Sequence, residues 1–131
     1  MTATDHAVGL IRAAALAASD KLATDLVAFD VSEQLAITDA FLLASGANDR
    51  QVHAIVDEVE DRLRELDANP IRREGHREGR WVLLDYGEVV IHIQHTEERE
   101  FYALERLWRD CPVIELPPEA HGPTDSTDTG S

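Results

Sequence analysis

Two apolar runs of strand length, WVLLDY at 81–86 and VVIHIQH at 89–95, are separated by only Gly87 and Glu88. A Gly-X pair between such runs predicts a β-hairpin, because glycine takes the positive φ that a tight two-residue turn needs. A hairpin is not stable alone in water and must bury a face against another element. The clearest helix in the chain is at 48–66. There Asn48, with Gln51 three residues later, resembles a capping box, and Val52, Ile55, Val56, Val59, Leu63 and Leu66 form one helical stripe. The opposite side carries Asp57, Glu58, Glu60, Asp61, Arg62, Arg64 and Glu65, a solvated face.

The remaining chain supplies further elements. Val8, Ile11, Ala15, Ala18 and Leu22 predict an Ala-rich helix capped by Thr4 or Asp5. LVAFDV (26–31) and FLLAS (41–45) have strand length, and 32–40 is a connector with no clear period. Asn69-Pro70 ends the second helix, a short strand is expected around 71–74, and Gly75 and Gly79 flank a turn. Thr96 is expected to cap a last helix with Glu97, Glu98 and Glu100 in its first turn and Phe101, Leu104 and Trp108 on its apolar side. The order is αββαβββα, an α/β (α+β) single domain with a mixed sheet packed by helices. A chain of 131 residues suits one domain. The expected domain is 1–111. Residues 112–131, an acidic Pro/Ser/Thr-rich tail, hold four of the five prolines and no Lys or Arg. Most of that tail, from about 117, is expected to be disordered, while Val113, Ile114 and Leu116 can still lie on the domain surface.

Charge narrows the function. The chain carries 26 acidic and 12 basic residues, a net charge of −14. That sign opposes direct nucleic-acid binding and docking to anionic lipid. It suits a basic protein partner or plain solubility. No secretory leader or membrane-length apolar run is evident, and one cysteine, Cys111, cannot form an internal disulfide. A cytoplasmic protein is expected.

Catalytic and metal chemistry are poorly supported. His92 and His95 fall on opposite faces of a strand, and His53 has only Asp57 one turn away. Asp30, Asp39 and Asp85 lie near strand ends, where carboxylates can hold Mg²⁺ for nucleotidyl transfer. No Asp-x-Asp pair and no Gly-rich phosphate loop accompany them. Cys111 follows the last helix, the wrong pole for lowering a thiol pKa. No enzyme, cofactor or metal is expected. The hairpin remains: Trp81 and Tyr86 beside Asp85, Glu88 and Arg99 have the composition of a protein-binding patch. Against this stands the reading of Trp81 and Trp108 as ordinary core.

The strings LVAFDVSEQLAITDAFLLASGANDRQVHAIVDEVEDRL and EGRWVLLDYGEVVIHIQHTEEREFYALERLW resemble the ribosomal silencing factor (RsfS, Iojap) family from about residue 8 to Trp108. The resemblance implies a nucleotidyltransferase-like topology without transferase activity. It also implies a translational repressor that binds the large ribosomal subunit through large-subunit ribosomal protein fourteen and blocks joining with the small subunit when nutrients are short. A homodimer in isolation and, alternatively, a role in large-subunit assembly are implied as well. The contact residues it implies are Trp81, Leu83, Asp85, Tyr86 and His92 in the hairpin, with Arg99 and Tyr102 on the following helix. Ser45, Gly46 and Arg50 match a further motif that shapes the strand-to-helix turn. Glu88 replaces a frequent Asp, and Phe101 a frequent Tyr, which weakens any role for position 101.

Overall fold

The computed structural model describes residues 3–75, 77–102 and 104–120, with the side chains of 100–105 outside that description. Helix α1 (Asp5–Asp20) starts at Thr4, whose side chain accepts the Ala7 amide. Helix α2 (Asp49–Arg64) starts at Asn48, whose side chain accepts the Gln51 amide. Gln51 completes the cap one residue earlier than in a standard box: its Oε1 accepts from the Ala47 amide at 2.6 Å. Its Nε2 donates to the Lys21 and Leu22 carbonyls, tying the start of α2 to the end of α1. The apolar stripe is buried from Val52 to Leu63, whereas Leu66 lies beyond the helix and is exposed.

Five strands form one mixed sheet in the order β1-β2-β5-β4-β3: β1 (Thr24–Asp30), β2 (Ala40–Gly46), β3 (Arg72–Glu74), β4 (Trp81–Asp85) and β5 (Val89–His95). Among these described strands, β2 and β5 are the one parallel pair. The expected hairpin is β4–β5, closed by the Tyr86 amide on the Val89 carbonyl, with Gly87 at φ +87°. Asp85 Oδ1 accepts the Gly87 amide and stiffens the turn. One sheet face packs on α1 and α2 through Leu42, Val82, Leu84, Ile91 and Ile93, all inaccessible to solvent. Among the described residues no helix is long and apolar enough to cross a membrane.

The second face is partly covered by the chain beyond β5. Helix α3 (Thr96–Tyr102) and the short α4 (Leu104–Leu107) lead to Trp108, which meets Phe41 edge-on at 5.0 Å. The cap of α3 differs from expectation: Thr96 is already helical, and His95 Nδ1 accepts the Glu97 amide. Nor does the folded part stop at Cys111. The Asp30 amide donates to the Pro112 carbonyl and the Ile114 amide to the Ala28 carbonyl, so 112–114 cover the outer edge of β1. Ile114, Leu116 and Ala120 are buried, and 118–120 form a 3₁₀ turn. Those apolar side chains outweigh the prolines, which suit a chain running along a strand edge. The expected tail therefore overlaps folded chain as far as Ala120, and 121–131 lie outside the described residues.

Candidate functional site

Alternation along β4 decides which side chains can work together. Val82 and Leu84 enter the helix-covered core, and Trp81, Leu83 and Asp85 project from the other face, each half-buried. The register lines up Leu43, His92, Leu83 and Glu74 across four strands. His92 is the buried centre of this row. Its Nδ1 accepts a 3.1 Å hydrogen bond from Trp81 Nε1, and Phe41 meets its ring edge-on at 5.4 Å. Burial pushes the imidazole pKa down to about 4, so it is neutral near pH 7 with its proton on Nε2. The bond holds the indole at a fixed angle on the sheet.

Beside it lies a depression of about 310 Å³ lined by Glu74, Gly75, Trp81 and Leu83. Gly75 is required there: at φ +77° a Cβ would stand 2.0 Å from the Trp81 carbonyl oxygen. Arg72 reaches both Glu74 (3.2 Å) and Asp85 (3.6 Å) at the rim. An aromatic and a leucine inside a ring of mixed charge is the anatomy of a protein-recognition patch. Sequence reasoning misses Glu74 and Gly75. The pairing of β3 with β4 brings them there, and a three-residue strand of RRE carries no apolar signal.

Not every expected contact residue joins this face. Trp81, Leu83, Asp85 and His92 do. Tyr86 turns into the helix-side core; burial, with Glu60 nearby, raises its phenol to about 12, and its hydroxyl has no hydrogen-bond partner among the described residues. Arg99 is buried, donating to Ser45 Oγ at 2.8 Å and the Asp25 carbonyl at 2.7 Å, and so fastens α3 onto β1 and β2. Tyr102 ends α3, and its side chain lies outside the described set. Ser45 thus anchors Arg99, and Gly46 gives room to Val52, whose Cγ2 would be 3.1 Å from an added Cβ.

The groups weighed for chemistry have structural partners. Asp30 accepts from the Ser32 amide and hydroxyl and from the Ala3 amide. Its partial burial raises the carboxyl pKa, but these hydrogen bonds win and hold it below the usual value. Asp39 accepts the Thr4 amide, and Asp85 serves the hairpin turn. His95 caps α3 on the face opposite His92, and among the described residues no three His, Cys, Asp or Glu side chains are grouped to hold a metal. Cys111 is buried and its thiol pKa raised, first by burial and then by Asp110 and Asp30.

Comparison with known proteins matches this arrangement to one family. The family model described as "Ribosomal silencing factor during starvation" matches residues 4–130. The ribosomal silencing factor RsfS of Bacillus subtilis is 41% identical over 107 residues, covering 82% of this chain and 91% of the relative. The mouse "mitochondrial assembly of ribosomal large subunit protein 1" is 33% identical, covering 66% of this chain and 39% of its own. A Chromobacterium violaceum crystal structure superposes with a TM-score of 0.74 at 32% identity, covering 76% of this chain and 83% of that one. One from Bacillus halodurans gives 0.72 at 38% identity, covering 82% and 98%. With a matching family model over nearly its whole length, relatives above 30% identity and the same fold in two solved structures, the chain belongs to the ribosomal silencing factor family.

Proposed function

We propose that this protein binds the large ribosomal subunit through large-subunit ribosomal protein fourteen, seating the Trp81–Leu83 face on it, and that the bound protein blocks joining with the small subunit. The carrying observation is the half-buried Trp81 and Leu83 around a charge-rimmed depression on the open sheet face of a chain with net charge −14. A basic ribosomal protein is drawn to that field, and the aromatic anchor supplies the affinity. Occupancy suffices for obstruction, so no reaction is required. This fits carboxylates at Asp30, Asp39 and Asp85 that are taken up by main-chain amides and Ser32. Its place is the cytoplasm, where ribosomes are, and the free form is a homodimer, which light scattering would check.

Calorimetry against purified ribosomal protein fourteen tests the contact. Trp81→Ala, checked for folding by circular dichroism, is expected to bind at least ~30-fold more weakly, the loss of a ~2 kcal/mol anchor. Normal affinity in a folded variant contradicts the assignment. A second reading, large-subunit assembly, is favoured by the name of the mouse relative. Accumulation of precursor particles in a deletion strain would support it, and normal maturation would oppose it.

A further inference from the structure

We propose that the depression lined by Glu74, Gly75, Trp81 and Leu83 is a socket for one basic side chain of the docked protein, a lysine or arginine whose stem lies along Leu83 and whose charged head meets the Trp81 indole and the Glu74 carboxylate. This rests on the proposed seating of ribosomal protein fourteen on the Trp81–Leu83 face. The size suits such an occupant. About 310 Å³ stands at the small end of the range for ligand pockets, roughly 300–1,000 Å³, and gives room for a long side chain rather than a folded element. Gly75 keeps the space open, because a side chain built there would meet the Trp81 carbonyl.

The lining names the chemistry of the occupant. Register sets Glu74 beside Leu83 and Leu83 beside His92, so the row runs from a buried end to an exposed carboxylate. A lysine or arginine has the matching gradient, an aliphatic stem that carries a cation. Trp81 spends its N–H on His92 Nδ1, so what it offers an occupant is its π system, which attracts cations. An apolar occupant would strip water from Glu74 without pairing it. An acidic occupant would meet Glu74 and Asp85 in a chain of net charge −14. Among the described residues Arg72 is the partner of Glu74, and both side chains are more than half exposed. Such a surface pair is worth little. Arg72 also reaches Asp85 at 3.6 Å, so it keeps a partner when Glu74 turns to the incoming cation.

Glu74→Gln keeps the shape of the socket and removes its charge. Glu78→Gln removes the same charge from the loop that follows, at an exposed position outside the lining. With folding of both variants checked by circular dichroism, calorimetry against purified ribosomal protein fourteen compares them. Binding is expected to be at least ~10-fold weaker for Glu74→Gln and within about twofold of wild type for Glu78→Gln. Wild-type affinity in Glu74→Gln overturns the proposal. Equal weakening in the two variants also overturns it, because the negative field of the whole chain then accounts for the effect. A wild-type protein that does not bind overturns the docking reading and the socket with it, whereas full affinity in Glu74→Gln overturns the socket alone.

Discussion

Acid should weaken this fold through one residue. The buried His92 has its pKa lowered by burial from 6.5 to about 4, so the unfolded chain takes up the proton before the folded one does. The stabilisation from keeping His92 neutral is complete above pH 6.5 and is lost progressively as pH falls toward 4. The two values give a loss of about 2 kcal/mol at pH 5 and about 3 kcal/mol below pH 4, a sizeable share of a small domain's stability. Protonation at Nδ1 also removes the acceptor of the Trp81 indole, so the docking face loosens together with the fold. Urea unfolding at pH 7.5 and pH 5, on wild type and His92→Gln, isolates the effect because the carboxylates titrate in both. Wild type is expected to lose about 2 kcal/mol more than the variant over this interval. Equal losses would refute the buried neutral imidazole.

Three further substitutions separate packing from recognition. Tyr86→Phe is expected to be neutral or stabilising, since the hydroxyl is buried without a partner among the described residues, whereas Tyr86→Ala should cost ~3–5 kcal/mol in urea unfolding. Arg99→Met strands Ser45 Oγ and the Asp25 carbonyl, and should cost ~2–4 kcal/mol by the same assay. A chain ending at Cys111 loses the buried Ile114, Leu116 and Ala120, and should be less stable by ~4 kcal/mol or more, read as a large fall in melting temperature.

The sheet and helices were legible because their signals are local. The Gly87-Glu88 pair, the Asn48–Gln51 cap and the 3.6-residue stripe each specify backbone geometry without help from distant residues. The candidate site was half legible. Trp81 and Tyr86 are five apart, and on a strand an odd separation puts them on opposite faces; this rule, applied to His92 and His95, would also have removed Tyr86 from the patch. Arg99 was misplaced for another reason. An arginine on a helix gives no sign of being buried until Ser45 and the Asp25 carbonyl are brought beneath it by folding. The same holds for 117–120, where prolines and an acid hide the burial of Ala120, while Ile114 and Leu116 were legible as apolar residues able to lie on the domain.

The central claim is that occupancy of the large subunit prevents joining. Purified protein mixed with large and small subunits under joining conditions, then separated on a sucrose gradient, measures it directly. The protein is expected to comigrate with the large subunit while the joined-ribosome peak shrinks in proportion to occupancy. A protein that comigrates with intact joined ribosomes, leaving that peak unchanged, would contradict the claim.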